Sequence, residues 1–301
     1  MKLIDSWKKC LGAIAVLLLV VGIAWAIWPR ERFVPYNIQE QMLRKEVNGK
    51  TKFFIQGSFA IRSGCYLNYT TTGMYVIPVD ADGKAVSGAG NILFYVPFNG
   101  ENGAAAYNRY AWLRAFAEQY DFTVFSLQIK ADTVTANDVS RYYIYQEAGW
   151  FDGIFKIQQF LQQKFNLQER KLFMIGQSSG CSMMQRMAAA MPEKIAAAAG
   201  HGGSRFADYT VQQQFPPFIF SSSSGDIVSD HNRINHKAAV AAKLKIWYME
   251  TPPHSKDDLH SAGKEAITVM TEFLLSAAQK NAGKTESFVW KFEQMPVFIH
   301  P

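Results

Sequence analysis

The chain has 301 residues, 49% apolar and 19% charged, with no repeat at a fixed period; this excludes a disordered or fibrous protein and suits one large folded domain. Its formal charge of +6 comes from lysines and arginines scattered singly or in pairs. Nucleic-acid binding requires a clustered basic stripe, so no nucleic-acid partner is expected.

In chain order, the N-terminus comes first. Met1 to Lys9 carries three lysines, and Leu11 to Trp28 (LGAIAVLLLVVGIAWAIW) runs 18 residues without a charge. A cleaved leader has a shorter apolar stretch, roughly 7–15 residues, whereas about 20 are needed to cross a bilayer. Trp25 and Trp28 suit the headgroup level, with Arg30 and Arg32 just beyond it. Residues 1–30 are therefore expected to be an uncleaved anchor, spanning the membrane through residues 11–28 with the domain exported to the periplasm or cell exterior. Ala24-Trp25-Ala26 resembles a cleavage site, and cleavage there would make the protein secreted. Residues 31–52 are polar and read as a tether, leaving 53–301 as the folded domain. Cys65 and Cys181 can pair in an oxidising compartment, although buried free thiols are the ordinary outcome.

Short apolar runs follow, divided by turn residues. Phe53–Ile61 and Met74–Val79 read as strands, with a hairpin-type turn at Asp80-Ala81-Asp82-Gly83. Asn91–Pro97 is nearly all apolar, as a strand buried on both faces should be. From there strands and helices alternate. A helix is expected over 104–120, a strand over 122–129 and a helix over 150–165. Then come a strand at 172–175, a helix over 181–191 ending at Pro192, and strands at 195–199, 217–221 and 244–249. A helix over 262–280 precedes residues 286–299, which either add a last strand or pack across the domain. Such alternation implies an α/β fold: a mostly parallel central sheet with helices on both faces. Sites in such sheets lie beyond the carboxyl ends of the strands.

The chemistry concentrates there. After the strand ending at Ile175 comes Gly176-Gln177-Ser178-Ser179-Gly180, a G-x-S-x-G. A serine on a sharp strand-to-helix turn lifts its hydroxyl above the sheet. The glycines remove side chains that would collide with the neighbouring strand, and the N–H of Ser179 faces a developing oxyanion. Ser178 is the candidate nucleophile. Two further residues follow strands later in the chain: Asp226, after Phe218-Ile219-Phe220 and a serine-rich loop, and His254, after Leu244–Met249 and the stiff Pro252-Pro253 pair.

The stretch Arg170–Gly203 resembles the α/β-hydrolase fold, in the serine esterase branch that includes polyhydroxybutyrate depolymerases and feruloyl esterases. The resemblance covers roughly Asn91 to Gln279. It implies an acid in the loop after the strand that follows the elbow unit, where Asp226 matches best and Asp230 is the reserve. It also implies a general base after the next strand, at His254, with His260 as the competitor. The order Ser178, Asp226, His254 is the chain order of this fold. A second oxyanion donor is implied in the turn after Asn91–Pro97, at Phe98 or Asn99, where many relatives carry His-Gly.

The resemblance thus implies a serine hydrolase that cleaves a small-molecule or polymeric carboxylic ester through an acyl-enzyme. No cofactor is required. His231 and His236 look like a metal pair, but no acidic or cysteine cluster completes a site, so no metal is expected. His201 ends a strand and is expected near the pocket. The alternatives are a peptidase or thioesterase with the same triad, an inactive anchored binding module, and a protein that binds membrane surfaces through its basic charge.

Overall fold

The computed structural model describes residues 33–62, 70–98, 100–129, 143–204, 206–209 and 214–281. The expected anchor at 11–28, Cys65, Asn99 and residues 286–299 lie outside the described residues. Among the described residues no helix is long and apolar enough to cross a membrane.

Among the described residues nine strands form one sheet: β1 (Tyr36–Val47), β2 (Lys50–Arg62), β3 (Thr70–Val79), β4 (Ile92–Val96), β5 (Thr123–Leu127), β6 (Leu172–Gln177), β7 (Ile195–His201), β8 (Phe218–Ser223) and β9 (Ile246–Thr251). Their order is β1-β2-β3-β5-β4-β6-β7-β8-β9. The first three are an antiparallel meander, β3 pairs antiparallel with β5, and every pairing from β5 to β9 is parallel.

Strand side chains alternate between faces, and β4 shows what that does here. Ile92, Phe94 and Val96 join one apolar core, while Leu93 and Tyr95 join the other. In β6, Leu172 and Met174 likewise point opposite to Phe173 and Ile175. Both faces therefore need covers. Helices α3 (Trp150–Lys164), α4 (Ser179–Ala190) and α5 (Ser229–Ala241) contribute Ile154, Ile157, Leu161, Met183, Met187 and Ala239 to the first core. Helices α1 (Gly103–Arg109), α2 (Ala111–Glu118) and α6 (Lys264–Asn281) contribute Ala106, Leu113, Phe116, Met270 and Phe273 to the second.

Three elements differ from the sequence expectation. The stretch expected to be a tether is instead β1 and the start of β2, locked in register from Gln39↔Ser58 to Val47↔Lys50. It is an edge strand, largely exposed on both faces, so its composition is polar and its order comes from backbone pairing. The helix expected over 104–120 is two helices, because Tyr110 takes an extended conformation (φ −92°, ψ 104°) between them. Helix α5 was not expected. Its buried stripe is Ser229, Asn232, His236 and Ala239, which has helical spacing but little apolar character.

Helix α1 has only seven residues and relies on its cap. The Asn102 side-chain oxygen accepts from the N–H groups of Ala104 (2.9 Å) and Ala105 (3.1 Å). Asn102→Ala is expected to cost about 1 kcal/mol of stability, read as a lowered urea midpoint at unchanged slope.

Candidate active site

The carboxyl ends of β6, β8 and β9 bring three side chains together. Ser178 sits between β6 and α4 with φ 52° and ψ −126°, a conformation that costs a non-glycine residue about 1–3 kcal/mol. The surroundings impose it. The Ser178 N–H donates to the carbonyl of His201 on β7 at 2.7 Å, and its carbonyl accepts from Ser182 in α4 at 3.2 Å. A methyl group on Gly176 would come within 2.7 Å of the Val96 carbonyl, and one on Gly180 would press closer still on the same oxygen. The spacing of the two glycines thus follows from how closely the end of β4 approaches the turn.

One imidazole bridges the other two groups. His260 Nε2 lies 2.9 Å from Ser178 Oγ, and its Nδ1 lies 2.8 Å from Asp226 Oδ2. The Asp226 side chain is 2% exposed and the His260 ring 45% exposed. The carboxylate is thus shielded, while the ring is open to solvent and to an incoming molecule. Asp226 follows β8 after a turn at Gly225 (φ +86°). Its N–H donates to the Ser223 carbonyl, and its Oδ1 accepts from the Val228 N–H.

The histidine differs from the sequence assignment. His254 was expected at the base position because it lies nearest the end of β9. The structure puts His260 there. After Thr251 the chain runs on to Lys264 before α6 begins, and the Pro252-Pro253 pair holds His254 at the start of this loop, against Gly263. The loop then turns back, laying the His260 ring over Gly202. Asp258 pins that return: its Oδ1 accepts from the N–H groups of His260 (3.2 Å) and Ser261 (2.9 Å). Hydrogen bonding from Ser261 holds its carboxyl below the usual range. Asp230, the reserve acid, is a surface residue paired with Arg233 at 2.6 Å.

The remaining expectations fall out as follows. Ser179 opens α4, and its hydroxyl accepts from the Tyr143 hydroxyl at 2.6 Å. Phe98 follows β4 and is half-buried, its carbonyl accepting from the Glu101 N–H. His231 is exposed while His236, five residues on, is buried beside Phe220 and Tyr248. Two side chains on opposite sides of a helix do not converge on one ion. Cys181 is a free thiol, fully buried, and burial pushes its pKa up to about 12.

Two buried groups support the site: His201, which the sequence places at a strand end, and Glu101, which no motif announces. His201 is fully buried at the end of β7, with Nδ1 2.8 Å from Ser221 Oγ and Nε2 3.4 Å from Ser223 Oγ. Burial, with a smaller contribution from nearby His260, lowers its pKa to about 4, so its imidazole is neutral. Glu101 is buried in the loop after β4, taking hydrogen bonds from Tyr95 (2.6 Å) and Tyr110 (3.2 Å). Burial raises its pKa.

No protein-family model matches the chain, and no curated protein matches it in sequence. Solved structures do. An S-formylglutathione hydrolase from Agrobacterium tumefaciens aligns with a TM-score of 0.58 at 13% identity, over 81% of this chain and 99% of its own. A thermostable esterase gives 0.53 at 16% identity, over 74% of this chain and 72% of its own. A bacterial heroin esterase gives 0.53 at 11%, over 87% and 90%. At these identities the likeness establishes the fold: an α/β-hydrolase architecture with a mostly parallel central sheet. It does not single out the depolymerase and feruloyl esterase branch that the elbow sequence resembles.

Proposed function

We propose that this chain is a serine hydrolase that cleaves carboxylic esters through an acyl-enzyme on Ser178. One observation carries the reading: the continuous path from Ser178 Oγ through His260 to the shielded carboxylate of Asp226, at 2.9 and 2.8 Å. His260 Nε2 takes the proton as Ser178 Oγ attacks the ester carbonyl carbon, and then passes it to the departing alkoxide. Asp226 holds the Nδ1–H and stabilises the imidazolium while it lasts. The Ser179 N–H at the head of α4 and an N–H at Phe98 or Asn99 stabilise the tetrahedral oxyanion. Water repeats the cycle, with His260 taking its proton, to release the acid. Every step uses groups of this chain and water alone.

The esterases among the structural neighbours support an ester as the acyl donor. The likeness to an S-formylglutathione hydrolase adds a thioester to the compounds worth testing. The elbow sequence favours the depolymerase and feruloyl esterase branch within that class. The reading keeps residues 11–28 in a membrane, which fractionation of the full chain beside one lacking residues 1–30 checks.

A fluorophosphonate probe tests the proposal directly. The full chain is expected to gain one probe mass on Ser178, and Ser178→Ala none. If a folded wild-type chain stays unlabelled, the protein is an inactive binding module and the proposal fails.

A further inference from the structure

A cavity of about 520 Å³ opens beside the nucleophile, on the sheet face covered by α1, α2 and α6. That is the size range of a small-molecule site. Gln177 and Ser261, the chain neighbours of Ser178 and His260, are among its lining residues, which places the cavity next to the triad. Tyr110 and Trp112 build one wall, their rings stacked at 5.6 Å with 22° between planes.

Two cationic side chains line the cavity. Arg109, the last residue of α1, and Lys264, the first of α6, both line it, together with His254. The Arg109 guanidinium lies 5.9 Å from the Tyr110 ring centre, which keeps it against the aromatic wall. Among the described residues that line it there is no Asp or Glu. Two carboxylates outside the lining act on these groups: Glu101, which interacts with Arg109 while accepting from the Tyr95 and Tyr110 hydroxyls, and Asp258, which interacts with His254 while accepting from the amides of His260 and Ser261. A cleft lined by two cationic side chains raises the local concentration of anions and favours an anionic group on the bound molecule.

We propose that one arm of the ester substrate carries a carboxylate or a comparable anion, recognised by Arg109 and Lys264 in this cavity. The inference rests on the hydrolase reading and adds to it a substrate class. It also gives His254 a role, as part of the pocket wall.

Two pairs of esters test the claim, one for each side of the scissile bond. On the acyl side, para-nitrophenyl hemiglutarate is compared with para-nitrophenyl pentanoate, which has nearly the same shape without the charge. On the alcohol side, para-acetoxybenzoate is compared with its methyl ester. The full chain is expected to prefer the anion by about tenfold in kcat/KM in at least one pair, chiefly through KM, with the preference shrinking as salt is raised. Arg109→Gln and Lys264→Gln are each expected to reduce that ratio by about threefold or more. Lys50→Gln removes one positive charge from the distant β1–β2 turn and is expected to leave the ratio as it was. Fluorophosphonate labelling of every variant reports whether the elbow is intact. Labelling with no anion preference in either pair, or a preference untouched by both cavity variants, overturns this inference alone. Absence of labelling in the wild type overturns the hydrolase reading and this inference with it.

Discussion

His260→Ala is expected to lower kcat/KM for a simple ester by at least about 10,000-fold, with KM little changed, whereas His254→Ala costs at most about tenfold. The first figure follows from what a triad base does: without it the serine hydroxyl attacks as a neutral alcohol, and only the oxyanion donors and binding contacts remain. The contrast follows from geometry. The imidazole of His260 sits 2.9 Å from Ser178 Oγ and 2.8 Å from Asp226 Oδ2, so its ring fills the space between them. His254 lines the neighbouring cavity, and its loss acts on what binds there. The loss at His260 should appear in single-turnover acylation as well as in steady state, since the same nitrogen serves both half-reactions. Asp258→Ala, which frees the turn carrying His260, should give a milder loss of kcat that partly recovers with Asn, whose side-chain oxygen can still accept from the same two amides. A deeper loss in His254→Ala than in His260→Ala would refute the assignment.

The site was legible in the sequence where local chemistry fixes local shape. Gly176-Gln177-Ser178-Ser179-Gly180 states its own turn, because the glycines are required wherever Val96 comes close, and the apolar strand before it and the helix after it are visible in composition. Asp226 was legible through the resemblance, which implies an acid after the strand that follows the elbow unit, and the Gly225 before it takes φ +86°. The histidine was not. Its place depends on how far a loop travels before it returns, and two histidines six residues apart satisfy any rule based on strand ends. The deciding contacts, the ring over Gly202 and its bonds to Ser178 and Asp226, are tertiary, while the Asp258 carboxylate on the amides of His260 and Ser261 is a local turn. The same distinction explains the fold. β4 and β6 announce themselves through apolar content, since both faces are covered. β1 is ordered by pairing with β2, and α5 packs a stripe of serine, asparagine and histidine, so hydrophobic periodicity has nothing to register. His201 was legible as a residue at a strand end, but its full burial was not, and Glu101 lies buried in the loop after β4, where no single-residue property reveals it.

That burial has a consequence in pH. His201 titrates near 6.5 when exposed and at about 4 in the folded chain. Between those values the unfolded chain binds a proton that the folded chain refuses. Stability from this group is therefore complete above about pH 6.5 and is lost as pH falls toward 4, on the order of 2–3 kcal/mol by pH 4.5. The neutral ring lies between Ser221 and Ser223. Ser223 in turn accepts from the N–H of Asp226 through its carbonyl, so protonating His201 loosens the ground under the acid loop as well as the sheet. His236 is also buried, with its pKa lowered by burial, and adds a loss of the same sign. Comparison with a variant separates the two. His201→Asn keeps a polar side chain between the serines and cannot titrate, so urea midpoints measured from pH 7.5 to 4.5 should decline less steeply in the variant, although it starts from a lower value. In the wild type, labelling of Ser178 should fall off over the same acid range. Parallel slopes for the two proteins would show that His201 is already protonated in the folded state, and the neutral-imidazole account of this layer would be wrong.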